Sequence, residues 1–235
     1  MERMEEEIPE SEYRAYQHFI TNSKWDHQKV LSKVSVDTSD LMKLNKEGSQ
    51  KPTGCIIDES SHLKKGEKSA GVSKQYAGTI GKVDNCQVGV YASLVNDIGA
   101  GLVNERLFLP EVWANDKERC EEAGIPESYR NHKTKPQLAL DMIDELISQG
   151  VEFDWVGGDG LYGHNSELRE GLDTRNLLYV LNVHKDEKVF LSYPEFSIPK
   201  KSGRRGRSPK IAKPNIEPVR LDTRLPARHG IPDPN

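Results

Sequence analysis

The order of the apolar segments constrains this fold more than any other feature of the chain. "CIID", from Cys55, is a compact apolar run, and "GVSKQYAG" and "CQVGVYASLV" have the β-branched and aromatic content of strands. "GLVNERLFLP" follows the turn "NDIGAG", and glycine and asparagine at such joints suit tight turns in a β meander. The period then changes. Leu138, Leu140, Met142, Ile143, Leu146 and Ile147 form one apolar stripe, which predicts a helix from about Thr134 to Gln149, stopped by Gly150. "FDWVGGDG" reads as a strand ending in glycines, "NSELREGLDTR" as a short helix opened by Asn165, and "LLYVLNV" as a buried strand. Three antiparallel strands followed by alternating helix and strand predict an α/β fold on a mixed sheet.

The flanks differ from this centre. Ser11 to about Leu44 has apolar residues at helical spacing, including Tyr13, Tyr16, Phe19, Ile20, Trp25, Val30, Leu31 and Val34, which predicts two short helices broken near "TNSKWD". "NKEGSQKPTG" is a turn-rich boundary. From about Ser197 the chain is rich in Pro, Lys and Arg without periodicity, and it cannot bury enough apolar surface to fold alone. The expected organisation is an N-terminal helical segment over residues 1–50, an α/β core over 51–196 and a basic, Pro-rich tail over 197–235. A length of 235 residues with only 35% hydrophobic residues fits a single core with polar flanks.

Net charge is −4, so no chain-wide attraction to polyanions is expected, but the charges are unevenly placed. "MERMEEEIPESE" is acidic, whereas "KKSGRRGRSPKIAK" contains no acid. Cys55, Cys86 and Cys120 form no CxxC pair and read as reduced, buried thiols. No apolar run approaches the roughly 18 residues of a membrane span, and the acidic N-terminus has the wrong polarity for a signal peptide. A cytoplasmic protein without membrane contact is expected.

Two acids stand out for chemistry. Asp58, in "IIDESSHLKKG", ends the first core strand, and Asp159 ends the fourth, which this order of elements makes its neighbour. Two carboxylates held together repel unless a cation neutralises them, and such an oxygen pair suits Mg²⁺ or Mn²⁺ in two-metal phosphoryl transfer. The plainer reading is that a strand-end Asp makes a turn or caps a helix. Glu59 reads as a neighbour rather than a ligand, because alternate strand residues face opposite ways. Lys64, Lys65, Lys68, Lys74 and Lys82 surround the first acid in sequence; such a run is ordinarily a solvated face, but beside a metal site it would hold a phosphate backbone. Lys200, Lys201, Arg204, Arg205 and Arg207 of the tail are further DNA-binding candidates. "GGDGLYG" also satisfies GxGxxG, a dinucleotide signature, with Asp186 after the next strand. Against it, Asp159 puts a negative charge where pyrophosphate needs amides, and the following helix is short. The seven histidines show no zinc spacing, and Trp25, Trp113 and Trp155 read as core.

Several long segments, in order, resemble a known family: "IIDESSHLKKGEKSAGVSKQYAGTIGKVDNCQVGVYASLV", "LFLPEVWANDKERCEEAGIP" and "FDWVGGDGLYG". They are similar to DDE transposases of the IS4/IS701 type, the DDE superfamily endonucleases of bacterial insertion sequences. "YQHFITNSKWDHQKVL" resembles the stretch that precedes the catalytic domain there. The resemblance implies a ribonuclease H-like fold, divalent metal, and cutting and joining of transposon ends to target DNA, with a homo-oligomer on the DNA. It carries the family's first two acids onto Asp58 and Asp159. The third acid is a downstream helical Glu, and Glu187, Glu195 and Glu217 match nothing, so it stays unassigned. The expectation is therefore a transposase shortened at its C-terminus and impaired in catalysis, or a remnant that binds DNA or a full-length partner.

Overall fold

The computed structural model describes residues 12–44, 51–200 and 208–221. It opens with helices α1 (Tyr13–Thr21) and α2 (His27–Leu44). They separate where "TNSKWD" predicts, because the Asp26 carboxylate accepts hydrogen bonds from the Gln28 and Lys29 amides and starts a new helix. The second helix, at 18 residues, is longer than the short one expected.

The strands are β1 (Gly54–Leu63), β2 (Ser73–Ala77), β3 (Lys82–Val95) and β4 (Ala100–Leu107). Two short helices, α3 (Glu111–Ala114) and α4 (Lys117–Glu122), precede the long α5 (Lys135–Ser148). Then come β5 (Trp155–Gly158), α6 (Gly160–His164), α7 (Ser166–Thr174) and β6 (Tyr179–Leu181). The central sheet runs β3, β1, β5, β6, with β2 and β4 each pairing β3. β1 is antiparallel to β3 and parallel to β5, and β5 is parallel to β6. This is the mixed sheet of the expected ribonuclease H-like α/β fold.

One face of the sheet makes the core. Cys55 and Ile57 of β1, Val90, Ala92 and Leu94 of β3, and Val156 of β5 pack with Leu138, Ala139, Met142, Ile143 and Leu146 of α5 and Leu168 and Leu172 of α7. Each of these is nearly or fully removed from water, and burying a valine, leucine, isoleucine or methionine among them stabilises the fold by about 1.5–3 kcal/mol. The bounds of α5 follow from its ends. Thr134 Oγ1 accepts from the Gln137 amide while the Gln137 side chain accepts from the Thr134 amide, and Gly150 takes the left-handed conformation at φ 76° just past the C-cap. α2 lies against β4. Ser35, fully buried, donates to the Val103 carbonyl, and a Cβ on Gly101 would come within 2.6 Å of the Thr38 methyl.

The structure departs from the sequence reading in several places. β1 continues to Leu63, so Asp58 is not the end of its strand; the 14-residue β3 offers partners for "SSHL" well past it. Asp159 follows the fifth strand in chain order, because the four segments before it form four strands, β1 to β4, not the three expected. β6 is an edge strand whose Val180 is exposed on one side, not a buried one. Trp113 is fully buried and donates to the Val72 carbonyl at 2.7 Å, whereas Trp25 is half exposed and stacked on Phe19. Within the Pro-rich region, β8 (Phe196–Ser197) pairs β9 (Lys213–Pro214), and β7 (Lys188–Val189) pairs β10 (Val219–Arg220). The three cysteines are free and buried, and burial pushes the Cys55 thiol up to about 12. Among the described residues no helix is long and apolar enough to cross a membrane.

Candidate active site

The parallel ladder between β1 and β5 ends at the pair Ile57 and Gly158. The next residue on each strand is an aspartate. Asp58 and Asp159 therefore follow adjacent backbones, about 5 Å apart at sheet spacing, and both are exposed. β1 carries on along β3, with Asp58 opposite Tyr91, whereas the other strand turns away at Asp159. Asp58 Oδ1 accepts from the Glu59 amide at 2.8 Å. Asp159 caps α6, its Oδ1 accepting from the Leu161 amide at 2.9 Å. That bond is the role the plainer sequence reading gave such an aspartate, and it takes up an amide that a dinucleotide pyrophosphate would need.

Glu59 faces the other way. It shares the core face of β1 with Cys55 and Ile57, and one oxygen accepts from Lys135 Nζ at 2.9 Å, the other from the Tyr162 hydroxyl at 3.0 Å. Tyr162 has no exposed surface. Burial first, then Glu59, then the charges of Asp58 and Asp159 push its phenol far above the ordinary range, so it stays protonated and donates. One phenol thus lies within electrostatic reach of all three acids. Lys135 also sits 5.9 Å from the centre of the Phe108 ring.

Two histidines flank the α6 turn. His184 lies over Gly160, where an added Cβ would be 3.1 Å from its ring, and His164 Nδ1 is 2.8 Å from Glu187. Glu187 is thereby brought to the same edge as Asp159. Glu195 instead lies beside Asn215, whose backbone amide donates to its carbonyl, and Glu217 is exposed on the loop before β10. Among the described residues, no three of His, Cys, Asp and Glu form a group that could hold a metal ion.

The five candidate lysines are all exposed. Lys64, Lys65 and Lys68 lie on the loop after β1, Lys74 on β2, and Lys82 at the start of β3 beside Asp84, 3.5 Å away. Asn85 joins these pieces: its side chain donates to the Lys64 and Gly66 carbonyls, and it pairs with Lys74 across the ladder. The lysines form one end of the β1, β2 and β3 ribbon, about 20 Å from Asp58 along an extended strand. Lys200 is exposed, and Lys201, Arg204, Arg205 and Arg207 lie outside the described residues.

Sequence reasoning singled out the two aspartates and did not name Lys135, Tyr162 or His184, which the structure sets around the α6 turn. A signal for the first two was present: alternation puts Glu59 on the core face of β1, and a carboxylate there requires donors.

Comparison with known proteins gives the family. The chain is 35% identical over 173 residues to a protein of Microchaete diplosiphon described as "Probable transposase for insertion sequence element IS701". The match covers 73% of this chain, which spans 41% of that relative's length. No solved structure matches. A model of the DDE superfamily endonuclease family matches residues 1–225, so this chain, with its mixed sheet and paired aspartates, belongs to the DDE superfamily endonucleases.

Proposed function

We propose that this chain carries the catalytic core of a transposase that cuts and joins DNA by metal-dependent phosphoryl transfer. Asp58 and Asp159 are its metal-holding carboxylates. The observation that carries the reading is the register of β1 and β5, which sets the two aspartates side by side immediately past the Ile57 and Gly158 pair. Their donor set fits the ion: exposed carboxylate oxygens are what Mg²⁺ or Mn²⁺ takes, and two leave most coordination positions to water or phosphate oxygens. When bound, such an ion lowers the pKa of a water or hydroxyl nucleophile and stabilises the leaving oxygen.

The chain's own residues supply placement. β1 and β5 fix one backbone against the other, and the cap at Leu161 orients the Asp159 carboxylate. The lysine end of the ribbon gives a strand lying along β1 a second point of attachment, several nucleotides from the acids. Transposon ends and target DNA are the partners this implies.

The test uses the purified chain with Mn²⁺ and a supercoiled plasmid. Asp58→Asn and Asp159→Asn should each weaken Mn²⁺ binding by calorimetry and abolish any Mn²⁺-dependent nicking, with the melting temperature held or raised, because a repelling charge is removed. Mn²⁺ affinity and nicking unchanged in both variants would refute the assignment.

A further inference from the structure

Past Gly158 the β1 ladder no longer holds the chain that carries Asp159. The next link back to β1 is the Tyr162 hydroxyl on Glu59, three residues after Asp159 and on the same short helix. We infer that Glu59 is a positioning residue of the site: by taking Lys135 on one oxygen and Tyr162 on the other, it fixes where Asp159 sits relative to Asp58. The inference rests on the reading of that pair as the metal-holding acids.

Three elements meet on this one carboxylate. Lys135 is the first residue of α5, Tyr162 lies on α6, and Glu59 itself adjoins Asp58 on β1. A carboxylate suits the place because it can accept from a cation and a hydroxyl together. A glutamine offers one accepting oxygen, and its amide hydrogens would face the Lys135 ammonium. The Tyr162 ring is a rigid arm, fully buried and packed in the main core. On another side α6 is also confined, since a Cβ on Gly163 would strike the Asn182 carbonyl. The turn is thus gripped from two sides, and Glu59 is the grip on the side of Asp58. Glu59 does not ligate the ion itself: it lies on the opposite face of β1 from Asp58, and both its oxygens are engaged.

A plain structural ion pair between Glu59 and Lys135 would explain the burial but not a link to the site. Tyr162→Phe separates the two, because it keeps the ring and the ion pair and removes only the hydroxyl. Two readouts are taken on the full chain: Mn²⁺ affinity, and amide exchange at Leu161 and Gly163, whose amides bond back to Asp159. Glu59→Gln and Tyr162→Phe should each lower Mn²⁺ affinity by roughly 10-fold, the scale expected when partners behind the ligands are removed, and speed exchange there. Wild-type behaviour of Tyr162→Phe in both readouts would overturn the inference. So would complete loss of Mn²⁺ binding in Glu59→Gln beside a normal Tyr162→Phe, which would make Glu59 a ligand. Should Asp58→Asn and Asp159→Asn leave Mn²⁺ binding intact, the reading of the pair fails, and the exchange rates still decide whether Glu59 holds the turn.

Discussion

Gly163 shows how closely single residues are specified around the candidate site. An added Cβ would lie 1.8 Å from the Asn182 carbonyl oxygen, a backbone atom of a residue whose amide is itself bonded to the Gly158 carbonyl at 3.0 Å. Gly163→Ala must therefore shift the backbone at Asn182, just past β6, or α6 itself. Overpacking of this kind costs about 1–3 kcal/mol, or roughly 2–12 °C in melting temperature for a chain of this size. A Gly163→Ala variant that melts with the wild type would show that the backbone there yields freely. The glycine is visible in "GGDGLYG", but its reason is not. As the last glycine of a dinucleotide signature it would serve close packing in another fold; here it admits the carbonyl of Asn182, 19 residues on and just past β6.

Elements were legible where their own ends carry the signal. α5 runs as predicted because Thr134, Gln137 and Gly150 define it locally, and α7 starts where Asn165 accepts from the Leu168 amide at 2.7 Å. Thr134→Ala should cost about 1 kcal/mol, seen as a small drop in melting temperature, and no change would mean that tertiary contacts alone set this helix start. The extension of β1 past Asp58 and the exposure of β6 were not legible, because both depend on which strands lie alongside, and "SSHL" or "YVL" says nothing of that. Nor was the tie between α5 and α7. Arg175 grips Asp144 with two hydrogen bonds, of 2.5 and 2.6 Å, and these hold the carboxyl below its usual range against a smaller effect of burial. A depressed folded-state value means that the stability is present above the unfolded value, about 3.9, and is lost as pH falls through the folded one. The carboxylate side chain is 53% exposed, so solvent screening limits the pair to about 0.2–1 kcal/mol. Asp144→Asn should melt slightly below the wild type at pH 7, with the gap closing in acid. A gap that widened below roughly pH 4 would reverse the sign argued here.

At the scale of the whole molecule the charge is −4, which by itself argues against a polyanion partner. The fold changes the meaning of that number by collecting charge locally. Between Leu63 and Val83 there are five lysines and one acid, Glu67, and the β1, β2 and β3 pairing gathers them at one end of the sheet instead of spreading them round the surface. If DNA lies there, each neutralised phosphate releases counterions and adds about 0.9 to the slope of log K against log salt on duplex. Replacing Lys64, Lys65 and Lys68 together with alanine should then flatten that slope by about 2–3, while Asp58→Asn leaves it nearly unchanged. The same measurement on Arg204, Arg205 and Arg207 replaced with alanine tests the second basic segment separately. A slope that survives the lysine triple but collapses with the arginine triple would move the DNA contact to the tail and leave the ribbon lysines as a solvated face. Loss in the lysine triple alone would place the bound strand along β1, on a line that runs through Asp58.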